Sequence, residues 1–276
     1  MSKRRRKLSC GRYAAECCFS RGSRYDCPKA RAQKRHHTSQ VQQALNDKNA
    51  LIYNAAVIAG TFLDDPTSMF VTLTLDDGHY PFSQRAGESF GKILKLLDNY
   101  IARLQRLAKR RKTALAYGWS PGQGDLGRYH IHMLLKGLSR EDVVTVWGLG
   151  EVKACHLYKD TAFLANREWM CGGKQEINPE AIARYMIDNA KPLRKVGGRL
   201  IHFSRSCLRP RVEESTPVPD GFRLEPPEGS TTVDQRTETT MYSSFSFVSY
   251  LLPGQPKKRK KKLRGAAPYG LGGVLS

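Results

Sequence analysis

Two histidines separated by one residue, His130 and His132, sit inside an alternating run, Tyr129-His130-Ile131-His132-Met133. Side chains alternate across a strand, so both imidazoles fall on one face about 6.6 Å apart along the chain, while Tyr129, Ile131 and Met133 take the other. Two neutral imidazoles placed this way can share one divalent cation. The preceding segment, Gly122-Gln123-Gly124-Asp125-Leu126-Gly127, can bring an oxygen donor beside them, with Asp125 favoured by charge as a ligand for a hard ion. A second group, Cys10, Cys17, Cys18 and Cys27 with His36 and His37 nearby, raises a zinc site. Its C-x6-CC-x8-C spacing lacks the close cysteine pair of a metal knuckle. Seven cysteines without a secretion signal suit reduced thiols in a reducing compartment. No G-x4-GK[ST] phosphate loop is present, so an ATP-driven motor is not expected.

The elements that must position these residues read as alternating strands and helices. Met69 to Leu75 alternates as a strand and ends at the turn signal Asp76-Asp77-Gly78. Phe90, Ile93, Leu94, Leu97, Ile101, Leu104 and Leu107 mark an amphipathic helix with a basic end. Thr113 to Trp119 and Arg128 to Lys136 form strands around a turn at Ser120 to Gly127. Ser139 caps a short helix to Trp147, Glu151 to His156 returns as a strand, and Asn178-Pro179 opens a helix to Ala190. Leu200 to Phe203 offers a last strand, and Val41 to Ala59 an accessory helix closed by Gly60. The order β-α-β-β-α-β-α-β with a central hairpin predicts an α+β fold, a central antiparallel sheet with helices packed on it.

The 276 residues carry a formal net charge of +21, concentrated at the two ends. Residues 1–37 hold 12 Lys and Arg against 2 acids, and residues 253–276 hold 7 with no acid. Such ends are expected to be basic arms that bind a polyanion through counterion release. The run KKRKKK at 257–262 also suits nuclear import. No stretch approaches the roughly 18 apolar residues of a membrane span, so no membrane partner is expected. The expected organisation is a basic arm (1–37), an accessory helix (38–64), a central domain (65–212), a Pro/Glu/Ser/Thr linker with a short apolar segment (213–252) and a basic tail (253–276).

Three segments in order, Phe70-Val71-Thr72-Leu73-Thr74, then Gly127-Arg128-Tyr129-His130-Ile131-His132, then Ala183-Arg184-Tyr185-Met186-Ile187-Asp188, resemble the three motifs of HUH endonucleases. They are most similar to those of rolling-circle replication initiators (Rep proteins) of phages, plasmids and small single-stranded DNA viruses. Phe203 to Pro210 is similar to the strand that closes the domain in phage-type initiators. The resemblance spans residues 65–212 and implies a ferredoxin- or RRM-like βαββαβ arrangement. Conjugative relaxases place the tyrosine before a three-histidine cluster, whereas here the histidines come first.

The resemblance implies Mg²⁺ or Mn²⁺ on His130 and His132, with Tyr185 attacking a phosphodiester to leave a 5′-phosphotyrosine and a free 3′-OH. The family's lysine one turn after the tyrosine is replaced here by Ile187, Asp188 or Asn189; Arg184 and Lys191 are the cations left to reach the phosphate. Relatives often place a glutamate ahead of the histidines. In its stead stand Gln123, at the seven-residue spacing at which some relatives carry an acid, and Asp125, with Gln123 narrowly preferred. Tyr158 is the fallback nucleophile, and Thr72 and Thr74 are placed to orient groups under the site. The implied partners are single-stranded or hairpin origin DNA and the host helicase and polymerase. The implied setting is a bacterial cytoplasm, or a nucleus in a eukaryotic host. An HUH transposase and a non-catalytic basic DNA-binding protein on the same fold are the alternatives.

Overall fold

Met69, Val71 and Leu73 alternate with Phe70 and Thr72 along the first central strand, and both sets are covered, which makes this a strand buried on two faces. The computed structural model describes residues 2–21, 40–82, 88–124, 127–157, 169–171, 176–193, 200–239 and 244–254. Among them the chain forms an α+β fold with four α-helices and two antiparallel sheets. The strands are β1 (Ser2–Cys10), β2 (Tyr13–Arg21), β3 (Met69–Leu73), β4 (Ala116–Gln123), β5 (Tyr129–Lys136), β6 (Val152–His156), β7 (His202–Phe203), β8 (Arg211–Val212), β9 (Thr216–Val218), β10 (Thr231–Thr239) and β11 (Ser244–Leu251). The helices are α1 (Gln40–Phe62), α2 (Glu88–Arg111), α3 (Arg140–Trp147) and α4 (Pro179–Ala190).

The first sheet runs β6-β3-β5-β4-β7. Its register places Thr72 opposite His132 and His132 opposite Ser120, so these three form one row across the sheet. Met69, Val71, Leu73, Ile131, Met133 and Leu135 pack with Leu97, Tyr100 and Leu104 of α2 and Val143 and Trp147 of α3 on one face. Phe70 and Leu134 on the other face join Ala55 and Ile58 of α1 and Ile182 and Met186 of α4. The helix ends follow their sequence signals. Ser139 and Asp142 form a capping box at α3, and the Asn178 side chain accepts from the amides of Glu180 and Ala181 ahead of Pro179.

The second sheet departs from the sequence reading. It runs β10-β11-β2-β1-β8, with β9 also on β1. Residues 2–21, expected to belong to a basic arm, are a paired hairpin, and much of 213–252, expected to be a linker, supplies three of its strands. The cations of β1 are tolerated because partners on the facing hairpin strand and far along the chain take them. Arg5 and Lys7 pair with Glu16, at 2.5 and 3.5 Å, and Arg4 donates to Ser215. Residues 255–276, expected as the basic tail, lie outside the described residues.

Helices α1 and α4 lie between the two sheets, since their core contains Phe70 and Leu134 from one and Tyr13, Ala15, Phe247 and Leu251 from the other. Glu180, 4% exposed on α4, accepts from Tyr13 Oη at 2.7 Å and from Ser249 Oγ at 2.5 Å, both on the second sheet. Helix α1 runs through Gly60, where the sequence reading ended it, because the glycine lies against the β1–β2 turn. A Cβ there would stand 2.3 Å from Cys10 Sγ, and one at Gly11 would stand 2.7 Å from Gly60 Cα. Gly60→Ala is therefore expected to destabilise by about 1–3 kcal/mol through overpacking, despite the helix-propensity gain of about 1 kcal/mol. Urea denaturation measures which term wins.

Candidate functional site

The row Thr72–His132–Ser120 lies beneath α4, where β5 carries His130 and His132 on the same face. The two rings meet edge to face with their Nε2 atoms 3.0 Å apart. Room for His130 is made by Gly122 directly opposite it: a Cβ at that position would stand 2.3 Å from His130 Nε2. Thr72 Oγ1 lies 3.2 Å from His132 Nδ1. With Nδ1–H donating to Thr72, the Nε2 lone pair of His132 is directed at the point that His130 Nε2 also faces. Thr74, expected beside Thr72, instead donates to the Glu151 carbonyl.

Tyr185 reaches this pair from α4. Its ring lies edge to face on His132 with centroids 4.9 Å apart. Phe70 contacts His132 at 5.7 Å and Tyr185 at 6.0 Å, and Trp169 contacts Phe70 at 5.1 Å and Tyr185 at 5.4 Å. Asn189, one turn after Tyr185, donates to the Tyr185 carbonyl at 2.9 Å and lies close enough to His132 to favour its protonated form. The helical pattern explains the placement. Ile182, Ala183, Met186, Ile187 and Ala190 face the core, which leaves Tyr185 at the margin, 37% exposed.

Burial sets the charge state of the cluster. The His130 pKa is lowered, and His132 is pushed down to about 3, first by burial, then by the charge of His130, against the nearby Asn189 side chain. Both rings are thus neutral near pH 7, the state that offers a lone pair to a cation. Burial raises the Tyr185 pKa, so the phenol keeps its proton at rest.

Gln123 does not join this pair. It lies opposite Tyr129, which puts it on the other face of the sheet from His130, and its Nε2 donates to the Gly127 carbonyl at 2.9 Å. The cause is that β4 continues to Gln123, beyond the turn expected from Ser120. Pro121 is accommodated there because β7 pairs only with Gly118 and Trp119 and needs no amide from it. Asp125 and Tyr158 lie outside the described residues, as do Cys27, His36 and His37. Cys17 and Cys18 are neighbours on β2 and point to opposite faces. Lys191 stands at the end of α4 with its ammonium 2.7 Å from Asp188, and Arg184 is exposed beside Tyr185.

The residues fit a hard divalent ion to the extent of two neutral imidazoles. A 3.0 Å separation of Nε2 atoms matches one edge of an octahedron with metal–ligand distances of about 2.1 Å. Among the described residues no third His, Cys, Asp or Glu completes a ligand group. Ser120 Oγ, fully buried across the strand from His132, has no hydrogen-bond partner among them. Sequence reasoning missed Ser120, Trp169 and Asn189; only the Ser120–His132 register was available to it, once β4 was extended. Among the described residues no helix is long and apolar enough to cross a membrane. Comparison with protein-family models, with curated proteins and with solved structures finds no match for the chain.

The lowered His132 pKa has a definite sign in stability. Below about pH 6.5 the unfolded chain takes up a proton that the folded ring refuses, so stability falls as pH drops toward the folded value. In metal-free protein His132 is expected to keep its neutral-ring NMR shifts down to pH 5. Its share of the stability loss between pH 6.5 and 5 should be about 2 kcal/mol, read as the difference in urea unfolding between wild type and His132→Gln.

Proposed function

We propose that this protein is a rolling-circle replication initiator of the HUH type, a nickase and rejoining enzyme for single-stranded or hairpin origin DNA. The observation that supports this reading is the contact of the Tyr185 phenol ring with His132 of a neutral histidine pair, since a nucleophile and a cation-binding pair converge on one face of a sheet. The motif order on which the resemblance rests supplies the reaction class. The finer fold assignment, a βαββαβ core of the ferredoxin type, belongs to the same proposal and is supported by the order β3-α2-β4-β5-α3-β6 in one sheet.

In the proposed reaction Tyr185 Oη attacks the scissile phosphorus. The bond to the 3′ oxygen breaks, the phenol proton is lost to water, and the departing oxygen takes up a proton to become a free 3′-OH. The product is a 5′-phosphotyrosine. Reversal by a later 3′-OH rejoins the strand, because the covalent link retains the phosphodiester's energy. His130 and His132 would hold Mg²⁺ or Mn²⁺, which when bound supplies charge neutralisation on the phosphoryl oxygens. Thr72 fixes the His132 ring, and Asn189, on the helix that carries the nucleophile, stands beside it. Arg184 and Lys191 are the side chains near Tyr185 suited to a phosphate. Unwinding and synthesis fall to a host helicase and polymerase, in a bacterial cytoplasm or, for a eukaryotic host, a nucleus.

Incubation with single-stranded origin-type DNA and Mn²⁺ should yield a covalent protein–DNA adduct resistant to denaturation. Tyr185→Phe should abolish it, and His130→Ala or His132→Ala should lower its rate by roughly 10²-fold or more. Salt-sensitive DNA binding with no adduct under any metal would reduce the protein to a basic binder, and an adduct formed equally by Tyr185→Phe would remove the tyrosine from the chemistry.

A further inference from the structure

Beside Tyr185, α4 and β10 enclose a cleft of about 610 Å³. One wall is the outer face of α4, with Arg184, Tyr185 and Asp188; the other is Asp234 and Arg236 of β10, and Trp169 lies along it. The β10 wall belongs to the second sheet, outside the segment that carries the motifs. It is held to α4 through the same sheet's Tyr13 and Ser249, which anchor Glu180.

The charge of this cleft decides what it suits. Two guanidinium groups, Arg184 and Arg236, face three carboxyl groups, Glu180, Asp188 and Asp234. A phosphate cradle needs a positive surplus, which this cleft lacks; alternating donors and acceptors suit the edge of a base. Arg236 lies over the Phe247 ring at 4.9 Å and contacts Asp234 at 3.4 Å. Its Nε is buried with no hydrogen-bond partner among the described residues, while the side chain is 34% exposed where it lines the cleft, so its terminal nitrogens are the donors a ligand can meet.

We propose that the α4–β10 cleft is a base-reading subsite that takes one unstacked guanine of the DNA strand, with Arg236 donating to O6 and N7 and Asp234 accepting from N1–H and the N2 amine. Guanine is the one DNA base that offers both an adjacent acceptor pair to a guanidinium and an adjacent donor pair to a carboxylate. Trp169 and Tyr185 supply aromatic surface for the unstacked ring, the usual means of holding a single-stranded base. The proposal rests on the strand-nicking reading, because the cleft adjoins the nucleophile and a base there flanks the scissile phosphate.

The test is binding of the full chain to fluorescent oligothymidylates in EDTA, where cleavage plays no part. A single guanine placed at successive positions should raise affinity about tenfold at one position, the scale of one good bidentate contact. Hypoxanthine, which lacks the N2 amine, and 7-deazaguanine, which lacks N7, should each lose most of that gain. Asp234→Asn and Arg236→Met, with thermal melts matched to wild type, should erase it while leaving all-thymidine binding unchanged. Equal affinity for all four bases at every position, or a guanine gain that survives both substitutions, overturns the proposal. Competition by free GMP as strong as that of the oligomer also overturns it, since the ligand would then be a nucleotide and not a strand. Guanine-selective binding without cleavage in Mn²⁺ leaves the cleft standing and removes the nickase, whereas cleavage with no base preference removes the cleft alone.

Discussion

Helix α4 is fixed on both sides, and the geometry of the site depends on that. Its apolar residues Ile182, Ala183, Met186 and Ile187 share one core with strands of both sheets, and the carboxyl group of Glu180 is buried against Tyr13 and Ser249. Burial raises the Glu180 pKa, yet the Ser249 and Tyr13 hydrogen bonds favour its charged form, so the two hydroxyls offset the cost of removing the group from water. A helix clamped in this way holds Tyr185 at the sheet margin by rotation alone. A turn of one residue would put the phenol either into the core or out toward solvent.

The same clamp explains why the histidine pair is neutral. His132 is 2% exposed because Phe70, Trp169, Tyr185 and α4 close over a face that would otherwise be an open sheet. Burial is the largest cause of its lowered pKa. Packing therefore determines both the position and the charge state of the rings, and Thr72 adds orientation through a hydrogen bond. Gly122 belongs to this arrangement too, since any side chain there would occupy the place of the His130 imidazole.

Periodicity made the central sheet and its helices legible. β3, β5, β6 and α4 lie where alternation, the Asn178-Pro179 cap and the Ser139 capping box place them. The second sheet was not legible, because much of its pairing is remote in sequence. Glu16 on the facing strand neutralises Arg5 and Lys7, Ser215 receives Arg4, and β11 returns more than 220 residues later to pair with β2. A run such as Lys3-Arg4-Arg5-Arg6-Lys7 has no alternation that marks it as a strand; pairing with β2 in a local hairpin and with β9 far along the chain overrode its charge. Of the two residues read as a third ligand, Gln123 is displaced for a different reason. That reading assumed a turn at Ser120, and extending β4 by a few residues sends Gln123 to the opposite face.

Electrostatics around Tyr185 runs against the chain's average. The protein is strongly cationic, yet its candidate nucleophile sits among Asp188, Asp234 and Glu180 as well as Arg184 and Arg236. Asp188 already holds the Lys191 ammonium at 2.7 Å, and nothing else near the phenol lowers its pKa, which burial raises. In the proposed reaction an entering phosphodiester competes with Asp188 for Lys191, a partly exposed pair that solvent keeps weak. Lys191, six residues beyond the tyrosine, is thus held by an acid, and on the proposed reading it would exchange onto an entering strand. On that reading Lys191 would stand in for the lysine missing at position 187, 188 or 189.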